Sequence, residues 1–276
     1  MRNLLGQHFL KTRAPIELML KSAKEEPAVD LILEVGPGQG ALTQELAKTF
    51  PAVIAVEKDR QLAEWLKRNL EVEKFSATGG SPPAGRHGAP GGRNCEIITA
   101  DILKIDWPKL VSGKSYALIA NIPYYLTSRL IRVFLEADRQ PSYMVLMVQK
   151  EVAERIVAEP PQMTLLSLSI QAYGKPKLIA RVSKKEFLPQ PEVDSAIIKI
   201  SGISKDFFTK NKISEKEFFI LAKTAFSQKR KQIINSLEKF YGSKNLAAAQ
   251  IKKAALSPTS RPQELALTHW LKLLKT

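Results

Sequence analysis

Apolar residues recur along the first two-thirds of the chain in two alternating rhythms. Short unbroken runs, LILEV (31–35), AVIAVE (52–57), EIIT (96–99), YALIAN (116–121) and YMVLMVQ (143–149), read as buried strands. Between them, ALTQELAKTF, RQLAEWLKRNLEVEKF and SRLIRVFLEA carry their apolar positions at helical spacing. This alternation predicts an α/β fold, a mostly parallel sheet with helices on both faces. SAIIKIS (195–201) reads as a further strand. It follows the irregular FLPQPEVD rather than a crossover helix, and is expected to enter antiparallel.

Two segments break the rhythm. SATGGSPPAGRHGAPGGRN (76–94) is packed with Gly, Pro and Ala and has almost nothing to bury, so it predicts a flexible surface insertion. Beyond residue 203 the strand-like runs stop. EKEFFILAKTAF, RKQIINSLEKFY, LAAAQIKKAAL and PQELALTHWLKLLK are helical stretches, the last two punctuated by Pro258 and Pro262. The expected division is one domain over 1–202 and a small all-helical domain over 203–276.

Charge changes the picture next. The 276 residues are 44% hydrophobic and 25% charged, an ordinary globular balance, but the net charge is +15 and the pI about 9.8. From residue 203 onward, fifteen Lys and Arg face five Asp and Glu, so the tail alone carries +10. So lopsided a balance calls for a polyanionic partner, nucleic acid first and an anionic membrane surface second. The densest cluster, SQKRKQ (227–232), offers Lys229, Arg230 and Lys231 as a phosphate grip. No apolar run approaches the ~20 residues that span a bilayer. The opening MRNLLGQHFLKTRAPIELML is interrupted by Gln7, His8 and Lys11, unlike a signal peptide. Cys95 is the only cysteine, which excludes an internal disulfide. A cytoplasmic protein is expected.

Candidate chemistry gathers where the strands end. EVGPGQGALT (34–43) follows a strand and opens a helix, and Gly36, Gly38 and Gly40 permit a tight turn and a close ligand. The pattern is neither the full dinucleotide fingerprint nor a P-loop. The next strand ends in Glu57, placed to accept from ribose hydroxyls, and the third in Asp101, placed to accept from an adenine amine. With Glu34 ahead of the glycines and no Lys or Arg in the loop, this set suits the sulfonium of S-adenosyl-L-methionine better than a pyrophosphate. No metal is expected.

The fourth strand runs into Asn121-Ile122-Pro123-Tyr124. An exocyclic base nitrogen is a poor nucleophile because its lone pair is delocalised into the ring. An Asn oxygen and the Ile122 carbonyl can each accept one of its hydrogens, with Pro123 stiffening the carbonyl. Tyr124 offers a face to an extruded base. Phe187 in KKEFLPQPEVDSA (184–196) is a candidate for the opposite face, with Lys184 and Lys185 beside it for the RNA backbone.

GQHFL, EVGPGQGALT, VEKD, ADIL, NIPYYLTS, MVQKEVAERI, FLPQPEVDSA and AFSQKRKQIINSL together resemble the KsgA-type small-subunit ribosomal RNA adenine dimethyltransferases, in order along nearly the whole chain. NIPY alone fits a wider set of adenine-amine methyltransferases. The resemblance implies a Rossmann-like class I methyltransferase sheet and dimethylation of two adjacent adenines in a hairpin loop near the 3′ end of small-subunit rRNA. It implies a monomer acting in small-subunit assembly on immature subunits. His8 and Leu10 would line the cofactor pocket with Gln7 nearby. Gly36 would touch the methionine end, Glu57 the ribose and Asp101 the adenine, Gly38 and Ile102 would also bind the cofactor, and Asn121 would lie between cofactor and target. Rivals are a large-subunit rRNA adenine methyltransferase of the antibiotic-resistance type and a non-catalytic assembly or transcription factor on the same fold.

Overall fold

The computed structural model describes residues 8–70, 94–228 and 231–275. The insertion expected over 76–94 therefore lies, Asn94 apart, outside the described residues. Two compact units emerge, one from residues 1–153 and 177–201, the other from 154–176 and 202–276.

In the first unit a two-residue strand β1 (Phe9–Leu10) precedes α1 (Ala14–Lys24). Pro15 starts that helix where no N–H is needed. Ile16, Met19, Leu20 and Ala23 recur on one face and are buried. Strands and helices then alternate: β2 (Leu31–Val35), α2 (Ala41–Thr49), β3 (Ala52–Glu57), α3 (Arg60–Asn69), β4 (Asn94–Thr99), α4 (Trp107–Leu110), β5 (Tyr116–Asn121), α5 (Thr127–Glu136) and β6 (Met144–Gln149). The side chain of Asp59 caps α3 by accepting from the amides of Gln61 and Leu62. α3 ends at Asn69, where Leu70 turns extended; residues 71–75 of the helical pattern read over 60–75 lie outside the described residues. Every residue of β2 and β3 is buried, as unbroken apolar runs require when both faces are covered. Each such Leu, Ile or Val contributes about 1.5–3 kcal/mol.

After α6 (Lys150–Ile156) and α7 (Leu165–Gln171) come β7 (Lys175–Val182), the two-residue β8 (Phe187–Leu188) and β9 (Ser195–Ser201). The main sheet has the order β4-β3-β2-β5-β6-β9-β7. β4, β3, β2, β5 and β6 pair in parallel, and β9 runs antiparallel to β6 from Met144↔Ile200 to Gln149↔Ser195. The strand order reverses between β2 and β5, which opens a crevice beyond their carboxyl ends. β7 was not foreseen. Lys175, Lys177 and Arg181 are exposed along it, and an edge strand guarded by cations leaves only the short apolar run Leu178–Ala180 to betray it. The ladder of β1 with β8 was not foreseen either; it joins Phe9 to Leu188 and Leu10 to Phe187.

The second unit holds α8 (Asp206–Asn211), α9 (Glu215–Phe226), α10 (Ile233–Tyr241), α11 (Lys244–Lys253) and α12 (Leu267–Leu274), and no strand begins after Gly202 among the described residues. Phe218, Leu221, Ile233, Leu237, Ile251 and Trp270 are fully buried, and Phe226 stacks on Trp270 at 5.5 Å. A boundary at 202/203 captures only one of the chain's crossings. Residues 154–176 also belong to this unit, because Tyr173 packs on Phe208 and Phe219 and its hydroxyl donates to Glu215. Thr164 caps α7 through Ser167, and the Met163 amide donates to the Gln263 carbonyl. No helix among the described residues is long and apolar enough to cross a membrane.

Candidate active site

A cavity of ≈ 410 Å³ lies where β2, β3, β4 and β5 end. The turn after β2 forms one wall. Gly36 and Gly38 have φ of +70° and +58°, values that favour glycine. A Cβ on Gly38 would come within 3.0 Å of the Phe9 ring, whereas one on Gly36 would sit 3.4 Å from Pro123 Cδ, an ordinary contact. The amide of Gly38 donates to Glu57 Oε2 at 3.1 Å and that of Asp59 to Glu57 Oε1 at 2.8 Å, so the acid ending β3 also ties down the glycine turn. Burial pushes the Glu57 pKa up, against the pull of these amides.

Glu34 lies deeper, at 1% exposure, and its Oε2 has no hydrogen-bond partner among the described residues. Burial pushes its carboxyl from the ordinary 4.5 to about 8, and the charge of Glu57 adds to the rise. Asp101, just past β4, is in a different state. Burial works to raise its pKa, but the Leu103 amide at 3.1 Å and the Lys58 ammonium at 3.1 Å outweigh it, and the net shift is downward.

Asn121 ends β5, in register with Met147. The Ile122 amide donates to the Met147 carbonyl, anchoring the start of the turn on the neighbouring strand. Pro123 follows with φ −52° and ψ 130°, and Tyr124–Leu126 closes into one 3₁₀ turn. The Tyr124 ring lies 5.8 Å from that of His8 at 29°, and its hydroxyl is 3.0 Å from Ser195 Oγ. Nδ1 of His8 is 2.8 Å from the Pro189 carbonyl, and the Lys11 amide donates to Glu186. The segment after residue 7 is thereby held against the loop that carries Phe187.

The cavity brings together His8, Leu10, Glu34, Gly36, Gly38, Glu57, Asp101, Ile102, Asn121, Pro123, Tyr124 and Phe187. Gln7, Lys229 and Arg230 lie outside the described residues. Phe187 is 1% exposed and belongs to the apolar core, so it backs the wall rather than presenting an open face. Lys184 and Lys185 are not on the lining; the Lys184 amide donates to Asp194 and its ammonium to the Glu192 carbonyl. Lys231 lies in the second unit, in a polar groove with Lys239 and Arg261. Sequence reasoning missed Phe9, Lys58, Lys104, Tyr125 and Arg129, all on the cavity lining. Tyr125, Phe9 and Lys58 left a signal, as members of NIPYY, GQHFL and VEKD.

Residues 1–273 match the family described as Ribosomal RNA adenine dimethylase. The chain is 41% identical over 275 residues to the Ribosomal RNA small subunit methyltransferase A of Dehalococcoides mccartyi (strain CBDB1), covering 99% of this chain and 87% of that protein. Among solved structures, a dimethyladenosine transferase from Plasmodium falciparum superposes with a TM-score of 0.75 at 25% identity, over 97% of this chain and 96% of that one. The 23S rRNA methyltransferase ErmE superposes with a TM-score of 0.71 at 23% identity, over 97% and 98% of the two chains, and shows the shared fold.

Proposed function

The chain belongs to the ribosomal RNA adenine dimethylase family, and on that premise we infer that it dimethylates the N6 amines of two adjacent adenines in the 3′-terminal hairpin loop of small-subunit (16S) rRNA. It is an S-adenosyl-L-methionine-dependent rRNA adenine N6-dimethyltransferase. One observation carries the reading: a single cavity holds the amide, proline and tyrosine that end β5 together with Glu34, Glu57 and Asp101.

The lining suits the cofactor. Glu34, Glu57 and Asp101 line the cavity, and the glycine turn contains no Lys or Arg. Bound there, S-adenosyl-L-methionine supplies an electrophilic methyl group on a sulfonium. Glu57 would accept from the ribose and Asp101 from the adenine, Gly36, Gly38 and Glu34 would receive the methionine end, and Ile102 would line the pocket beside Asp101. His8 and Leu10 close the pocket.

Asn121 Oδ1 and the Ile122 carbonyl accept the two hydrogens of the target amine. Holding both draws the nitrogen toward tetrahedral geometry and localises its lone pair. Pro123 fixes its own φ and restrains Ile122, so the carbonyl is aimed before the base arrives. The Tyr124 ring, braced by His8 and Ser195, offers the stacking face. No strong general base is needed, because the methylated amine is acidic and gives its proton to water.

This reading has the protein act as a cytoplasmic monomer on immature small subunits. The test is transfer of labelled methyl from S-adenosyl-L-methionine to undermethylated small subunits and, in parallel, to large subunits, with the modified base mapped. Dimethyladenine in the small-subunit 3′ hairpin is expected. Label confined to large subunits overturns the reading in favour of the antibiotic-resistance type, and cofactor binding without transfer to either favours a non-catalytic factor.

A further inference from the structure

We propose that Lys104, Tyr125 and Arg129, at the mouth of the cavity, form a seat for the nucleotide next to the target adenine, with the Tyr125 ring as stacking platform and the two cations on the flanking phosphates. The proposal rests on the adenine-methyltransferase reading and deepens it.

Tyr124 and Tyr125 are neighbours in one 3₁₀ turn and both reach the cavity, yet their surroundings differ. Tyr124 is half-buried between His8 and Ser195, whereas Tyr125 is 67% exposed. A tyrosine that open adds little to the core. Arg129 lies four residues further on, in the first turn of α5, and Lys104 in the turn after Asp101; both are exposed. Neither is in an ion pair among the described residues, whereas Lys58, the remaining cation on the lining, is committed to Asp101 at 3.1 Å.

An RNA base drawn into a pocket leaves its neighbour without a stacking partner just outside, and its own phosphates at the rim. An exposed aromatic ring at the mouth replaces the lost stack whatever the neighbour's identity, and unpaired cations beside it neutralise the backbone. In the proposed substrate that neighbour is itself an adenine, whose purine face stacks well.

The experiment uses full-length protein, undermethylated small subunits, and the variants Tyr125→Ala, Tyr125→Phe and Arg129→Gln. Tyr125→Ala is expected to raise KM for the subunits about fivefold or more, with kcat and cofactor Kd within about twofold of the parent, and Tyr125→Phe to restore KM. Arg129→Gln should lower the slope of log KM against log salt by about 0.7–0.9. An unchanged KM in Tyr125→Ala overturns the proposal, as does a parallel loss of cofactor affinity, which assigns the ring to the cofactor. Wild-type protein that methylates no small subunits overturns the functional reading and this inference with it; wild-type activity with an unaltered Tyr125→Ala KM overturns this inference alone.

Discussion

The strand ends around Asn121 and the polar groove around Lys231, the two regions we propose for RNA, are built in opposite ways. At the strand ends, position is everything. β2, β3 and β5 are buried along almost their whole length, so the residue at each carboxyl end is delivered to a fixed place. In the groove, Lys231, Lys239 and Arg261 sit at exposed positions with amides between them, so a polyanion there would meet a density of charge. One region needs each residue; the other needs enough of them. Substitutions in the first should therefore abolish chemistry, and substitutions in the second should each shave binding.

The largest expected effect is at Asn121. Asn121→Ala should cut methyl transfer by orders of magnitude while leaving cofactor affinity within about tenfold, or about 1.4 kcal/mol. Single-turnover transfer and equilibrium binding measured side by side decide this, and a near-normal turnover number would erase the contrast between the two regions. Next comes Gly38→Ala, which forces a side chain into φ +58° and against Phe9. Strain of about 1–2 kcal/mol predicts cofactor affinity weakened roughly five- to thirtyfold. Gly36→Ala, whose Cβ has room, should cost less, and the reverse order in titration calorimetry would contradict the geometry.

The third prediction concerns pH. Below about 8 the buried Glu34 holds a proton in the free protein. A cationic ligand favours its carboxylate, so binding releases that proton. Cofactor affinity should rise with pH, by at most about tenfold per unit, and level off above 8. The same group sets a stability trend of opposite sign. Between 4.5 and 8 the folded state keeps a proton that the unfolded chain has lost, so stability falls as pH rises through this window. Glu34→Gln should flatten both profiles. The smallest effect belongs to the groove: Lys239→Gln or Arg261→Gln should weaken RNA binding only a few-fold and reduce its log–log salt slope by about 0.7–0.9 each. A loss of catalysis from either would mean that the groove, too, works by position.

Much of the site was legible before any coordinates. Glu57, Asp101 and Asn121 each follow an apolar run, and a parallel strand brings its carboxyl end to a common edge whatever the loops do. What escaped notice had no periodic signature. β7 carries lysines along an edge. Phe9 and Leu10 form a strand only because Leu188 and Phe187 lie opposite them. The same ladder explains Phe187: from local sequence it was a candidate stacking face, but its pairing with Leu10 turns the ring into the core.

By itself the sequence determined the alternation of strands and helices, the residues that end each strand, and the excess of positive charge beyond residue 203, because buried runs, glycine turns and charge are local properties of the chain. Tertiary structure alone decided that residues 154–176 pack with the helical unit, that Lys58 is taken up by Asp101, and that Glu34 is buried deeply enough to hold its proton. Those outcomes depend on which distant side chains exclude water from a given group, and no stretch of sequence read alone contains that.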